Sequence, residues 1–131
     1  MPWEFRKDVP LYLQLMERLQ RQIVSGAVAP GERLPSVREL AAEAGVNPNT
    51  MQRALSEMER RELVFSQRTA GRYVTADGER IRRLREELAG VQIRAFLEGM
   101  ERLGFRPEEI GELLRGQTGG TPPDGKGERE A

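Results

Sequence analysis

Leu11, Leu15, Leu19 and Ile23, with Met16 beside them, recur at a spacing that lines one face of a helix. Pro10 suits an opening position because its missing N–H would have no partner there, and Gly26 follows the last periodic residue. A core helix is therefore predicted from about Pro10 to Ser25. Val37, Leu40, Ala41 and Ala44 repeat the pattern over a shorter length. Ser36 can cap this second helix, with Glu39 three residues on as the reciprocal partner, and Gly45 supplies a left-handed stop beyond which Val46 folds back as an apolar plug. A third stripe, Met51, Ala54, Leu55 and Met58, follows Asn47 as N-cap and Pro48 at the first helical position. The connection Ala27 to Pro35 reads as a tight turn around Pro30 and Gly31, with Leu34 tucked inward.

The second and third helices meet at one glycine, and the face left outward on the third carries Asn49, Thr50, Gln52, Arg53 and Ser56. Ordinary bundle helices turn Glu and Lys to solvent. Amides, a hydroxyl and one Arg at the leading turns suit base edges and phosphates instead, which makes this pair a candidate helix-turn-helix. After Leu63 the period changes: Val64 to Gln67 and Arg72 to Thr75 are β-prone runs around a polar turn, Arg68-Thr69-Ala70-Gly71. They predict a small hairpin, or wing, with Arg68 and Arg72 at a glycine-containing tip where cations can meet phosphates or enter the minor groove. A hairpin that only shields the helical core is the plainer alternative.

Beyond the wing, Asp77 can cap a helix beginning near Glu79. Ile81, Leu84, Leu88, Val91 and Ala95 repeat at alternating three- and four-residue steps, as a helix-to-helix seam does. Phe96, Leu97, Met100 and Leu103 form a second set slightly rotated from the first, and Gly90 and Gly99 weaken the span. Pro107 with Glu108 and Glu109 starts a further short helix whose Ile110, Leu113 and Leu114 can fold back, ending before Gly116. Two such helices cannot bury these stripes by themselves, so they pack on their own domain or pair with a second subunit. The residues expected at that seam are Ile81, Leu84, Leu88, Val91, Ala95, Phe96 and Met100. The reading divides the chain into a DNA-binding domain (1–75), a helical dimerisation segment (76–116) and a disordered tail (117–131) rich in Gly, Pro and charge.

Composition narrows the function classes. The 131 residues suit one domain with an appendage, and 37% apolar residues with mixed charge suit a soluble protein. There is no run near the length of a membrane span and no signal-peptide pattern at the start, so the expected location is the cytoplasm. Neither Cys nor His occurs, which removes thiolate and imidazole ligands and the commonest acid–base catalyst. No paired-carboxylate or nucleophile motif stands out, and the expectation is a binding protein with no cofactor and no metal, not an enzyme. Net charge is zero: Met1 to Thr75 carries 11 Lys and Arg against 9 Asp and Glu, a net +2, and Ala76 to Ala131 carries 10 against 12, a net −2. Binding to DNA then depends on where Arg33, Arg38, Arg53, Arg68 and Arg72 cluster, not on a bulk basic field. Arg outnumbers Lys 19 to 2, which suits bidentate contacts, although a GC-rich genome produces the same bias.

The run from Pro10 through Thr75, with SGAVAPGERLPSVRELA in order, then NPNT followed by Arg53-Ala54-Leu55 and the Gly71 wing, resembles the N-terminal winged helix-turn-helix of GntR-family bacterial transcription regulators. The resemblance covers about half the chain, and NPNT is similar to the YtrA-type and MocR-type branches. It implies DNA contacts by Arg38 on the second helix, by Asn47, Asn49, Thr50, Gln52 and Arg53 on the third, and by Gly71 with Arg72 in the wing. Many relatives carry Arg where Gln52 stands, a departure that moves the base preference from guanine toward adenine. The approximately 55 residues after the wing suit the YtrA-like type, whose short helical segment resembles a dimerisation device, and not the larger effector or aminotransferase-like domains of other branches. The fold class expected is mainly α with a small β-hairpin wing. The function expected is a regulator, a repressor by analogy, bound to double-stranded DNA as a homodimer on an inverted repeat. A small-molecule effector could lodge between the C-terminal helices or at the seam. The competing class is a winged domain that binds another protein and no specific DNA.

Overall fold

The computed structural model describes residues 3–117, in the order α1 (Leu11–Ser25), α2 (Val37–Ala44), α3 (Pro48–Arg60), β1 (Val64–Gln67), β2 (Gly71–Val74), α4 (Gly78–Arg102) and α5 (Pro107–Gln117). The expected class, mainly α with one antiparallel hairpin, is the one observed. Several edges differ from expectation, among them the end of β2, which closes at Val74 and not Thr75. Strand β2 opens at Gly71 instead of Arg72, and α5 runs through Gly116 to Gln117, so Gln117 is helical and the rest of the expected tail lies outside the described residues.

Local capping explains the bounds of α2 and the start of α3. Ser36 Oγ accepts the Glu39 N–H at 3.1 Å while Glu39 Oε1 accepts the Ser36 N–H at 2.9 Å, closing the reciprocal cap of α2. Gly45, at φ 78°, donates its N–H to Ala41 O at 2.8 Å, and half-buried Val46 donates to the same carbonyl at 3.0 Å. Asn47 Oδ1 accepts the Asn49 N–H at 2.7 Å and so starts α3. At the other end of α3 Glu62 takes the left-handed conformation, φ 63°, that lets buried Leu63 turn back under the helix.

The described residues form two compact units, divided between Glu86 and Glu87 inside α4. The core of the first joins Leu15, Leu19 and Ile23 of α1, Leu40 and Ala44 of α2, Met51, Leu55 and Met58 of α3, and Val64 and Val74 of the hairpin. Leu34 is buried, as its place after the turn predicts. Trp3, whose position the sequence leaves open, is buried against the end of α2: its backbone N–H donates to Ala44 O at 3.2 Å and Arg18 lies 4.7 Å above its ring.

The hairpin pairs Val64 with Val74, Phe65 with Tyr73, Ser66 with Arg72 and Gln67 with Gly71. The connection after α1 adds itself to the outer edge of β2, through a bridge from Arg33 to Tyr73 and bonds from Leu34 N to Arg72 O (2.8 Å) and Val74 N to Glu32 O (2.9 Å). A two-stranded hairpin is marginal in isolation, and this third edge holds the wing against the helical body.

Asp77 caps α4 as expected, its Oδ1 accepting from Glu79 N at 3.0 Å and Arg80 N at 3.4 Å. The expected seam through Ile81 and Leu84 is corrected here. Both side chains are buried within this one chain, with 6% and 2% of their surfaces left exposed. Two arginines fasten the same turns: Arg80 Nε donates to Arg61 O at the end of α3 and Arg85 Nη2 to Val24 O in the last turn of α1. Cations there meet the negative ends of two helices. The first two turns of α4 thus close the first unit. In the second unit Ile110 of α5 is buried, while Val91, Ile93, Phe96 and Leu103 remain exposed.

Candidate nucleic-acid interface

At 100° per residue, Asn49, Gln52, Arg53, Ser56 and Arg60 of α3 fall within about 100° of arc, opposite Met51, Ala54, Leu55 and Met58. The four apolar residues are buried and the five polar ones exposed. The helix therefore presents one continuous polar edge. Gln52 Nε2 donates to Ser56 Oγ at 3.0 Å, which lays the amide along this edge with its oxygen still able to accept from an adenine amino group. Thr50 is half-buried at the flank. Asn47 stands at the leading end, where its Oδ1 already serves its own helix.

Charge on α3 is sorted by position. Arg60 and Arg61 pair with Glu57 near the C-terminal end, and Arg60 holds the Glu57 carboxylate below its ordinary pKa. Arg53, in the exposed middle, forms no ion pair among the described residues; its guanidinium lies 3.7 Å from the centroid of the Tyr12 ring on α1. Arg38 is exposed in the first turn of α2.

The wing rearranges the arginines expected at its tip. Arg68 sits in the turn and is exposed. Arg72 alternates onto the same face as buried Val74, where only 18% of its side chain is exposed, and its Nε donates to Glu59 Oε2 of α3 at 2.7 Å. Ser66, its cross-strand neighbour, donates to the same carboxylate oxygen. Partial burial works against the Glu59 charge, yet these two donors and the Arg72 charge bring its pKa below the ordinary value. Arg72 thus fastens the wing to α3.

Arg33, one of the arginines on whose clustering DNA binding was expected to depend, takes the place beside Gly71. A Cβ built on Gly71 would lie 3.1 Å from Arg33 Nε and 3.3 Å from Nη2, and Gly71 itself has φ 97°. The left-handed backbone favours glycine here, and the guanidinium lying across it would have to shift by a few tenths of an ångström to admit a Cβ. Arg33 arrives there through its bridge to Tyr73, a pairing across 40 residues that no local pattern announces.

An exposed polar helix edge, a capped shorter helix before it and a hairpin beside it form a surface that meets a groove and its flanking phosphates. Residues 11–74 match the model of the gntR family of bacterial regulatory proteins. The chain is similar to the uncharacterized HTH-type transcriptional regulator YhcF of Bacillus subtilis (strain 168), with 36% identity over 117 residues that cover 89% of this chain and 97% of YhcF. It is also similar to the HTH-type transcriptional repressor YtrA of the same organism, 31% identical over 102 residues, covering 73% of this chain and 78% of YtrA. A solved GntR family transcriptional regulator from Listeria monocytogenes aligns with a TM-score of 0.78 at 36% identity, over 85% of this chain and 97% of that one. These alignments are longer than the winged domain alone, so they take in part of the chain beyond it. The chain belongs to the gntR family of bacterial regulatory proteins: it is a DNA-binding transcription regulator with a winged helix-turn-helix, and not an enzyme.

Proposed function

We propose that the chain is a cytoplasmic repressor that binds an inverted-repeat operator as a homodimer. The observation that carries this reading is the polar edge of α3, exposed along its whole length between two elements that bear exposed arginines, Arg38 on α2 and Arg33 and Arg68 at the wing. Gln52 and Asn49 read base edges, Arg53 meets guanine or phosphate, and Arg38, Arg33 and Arg68 position the domain on the backbone. The similarity to YtrA, a transcriptional repressor, supports repression.

The second copy is argued from the second unit. Val91 and Ile93 are each 56% exposed and Leu103 73%, with Phe96 at 41%, an apolar concentration unusual for a surface that meets only water. Leu88, Val91, Ala95, Phe96 and Met100 remain in the proposed seam, Ile93 joins them, and Ile81 and Leu84 leave it. A groove lined by Gln92, Ile93, Phe96, Leu97 and Leu114 lies on the same unit, and a small-molecule effector would lodge there. Two-fold symmetry would then set the recognition helices about 34 Å apart, one turn of duplex.

Selection of bound duplexes from a random pool, with the protein's mass measured in solution, tests the reading. The expected result is an inverted repeat with half-site centres about 10 bp apart and a dimer mass. A monomer mass with single, unpaired half-sites would overturn it.

A further inference from the structure

We infer that Tyr12, on α1 and outside the helix-turn-helix, is a positioning residue for DNA recognition: its ring is the platform that holds the Arg53 guanidinium at the groove-facing edge of α3. The inference rests on the reading of that edge as the DNA surface.

Tyr12 stands one turn before Met16, in line with Met16, Leu19 and Ile23 on the buried face of α1. Those three are buried. Tyr12 is only half-buried, because here the stripe runs past the edge of the core and the ring is covered by Arg53 instead of by apolar side chains. At 3.7 Å from the ring centroid the guanidinium is in stacking contact, where the negative face of the ring attracts it. Stacking occupies one flat face of the guanidinium and leaves its N–H groups, which lie in the plane, directed outward for an acceptor pair.

The consequence is entropic as well as electrostatic. A long arginine side chain loses much rotamer freedom when it binds, and a platform that restricts it beforehand lowers that cost. Arg60 at the end of α3 and Arg61 just after it are instead held by the Glu57 carboxylate, which offsets their charge. A ring holds Arg53 without neutralising it. The first helix, otherwise a core element, thereby contributes to recognition.

The test uses the full chain, a labelled duplex recovered by selection with the unaltered protein, and a scrambled duplex of equal length. Tyr12→Leu is expected to weaken binding about three- to tenfold, Tyr12→Phe to bind as the unaltered protein does, and Tyr12→Leu to add little once Arg53→Ala is present. Dependence on the ring and on Arg53 together is what a merely structural Tyr12 would not produce. If Arg53→Ala weakens binding while Tyr12→Leu binds equally well or more tightly, the platform is overturned and the DNA surface stands. If Arg53→Ala binds as well as the unaltered protein, both fall. A Tyr12→Leu chain that fails to fold leaves a second readout on the unaltered protein: the Arg53 side-chain protons should be ring-shifted upfield both free and on DNA, and loss of that shift in the complex overturns the platform.

Discussion

Arginines that look interchangeable in the sequence divide into two kinds once their neighbours are known, and the division predicts which measurement each one moves. Arg72 faces inward and shares Glu59 with Ser66, so Arg72→Ala should cost about 1–2 kcal/mol of stability, read by urea unfolding, because it strips a partly buried carboxylate of a charged donor. Arg33→Ala should leave stability nearly unchanged and lower DNA affinity, since its guanidinium only lies across Gly71 at the surface. Reversed results would show that Arg72, and not Arg33, is the wing's contact. Arg38→Ala should weaken binding to selected and scrambled duplexes alike and reduce the salt slope by about one, whereas Gln52→Ala should mainly relax preference at one base pair. Anisotropy at several salt concentrations separates them, and equal loss on both duplexes for Gln52→Ala would remove its base-reading role. The caps of α2 and α3 were legible because each closes within three residues; the Glu59–Arg72 pair spans 13, and depends on strand register, which spacing along the chain does not reveal.

At the scale of elements, α1, α2, α3 and the hairpin follow from periodicity and caps, and α4 shows where periodicity stops being enough. Its apolar steps predict a stripe from Ile81 to Ala95 but are silent on what covers the stripe. The structure divides it: the first two turns belong to the unit that ends at Glu86, tied by Arg80 and Arg85 to the carbonyl ends of α3 and α1, and the later turns expose Val91 and Phe96. The two parts should answer substitution differently. Leu84→Ala should destabilise the fold by about 2–4 kcal/mol through the cavity it leaves, without creating a new surface. Phe96→Glu should keep the helical circular dichroism spectrum, shift the mass in solution toward the monomer, and abolish the advantage that a two-half-site duplex has over a single half-site. A Phe96→Glu chain that remains a dimer would place the seam elsewhere on the molecule.

For the whole molecule, the absence of histidine joined to a set of carboxylates held below their ordinary pKa makes a statement about pH. Glu39 is held down by the Ser36 backbone N–H and hydroxyl, Glu57 by Arg60, Glu59 by Ser66 and Arg72 against its own burial, and Glu79 by Arg82. A group whose pKa is lowered on folding stabilises the fold at every pH above its unfolded value, and that contribution disappears as pH falls through the folded value. The unfolded value for these residues is the ordinary 4.5, so the loss begins there and continues below it. Between about pH 8 and 5.5 no imidazole is present to change charge, and the carboxylates held down in the fold stay ionised. Thermal midpoints should therefore be level across that interval and fall on the acid side of 4.5, where protonation of the 21 acidic residues also leaves 21 cations unopposed. Glu59→Gln should start lower and descend less steeply, having given up one of the groups whose protonation drives the fall. DNA affinity should be level over the same neutral interval, because no imidazole stands on the DNA-facing surface. A midpoint or an affinity that moves appreciably between pH 8 and 5.5 would mean that a titrating group outside this set, such as one brought by a second copy or by the DNA itself, governs the fold or the complex.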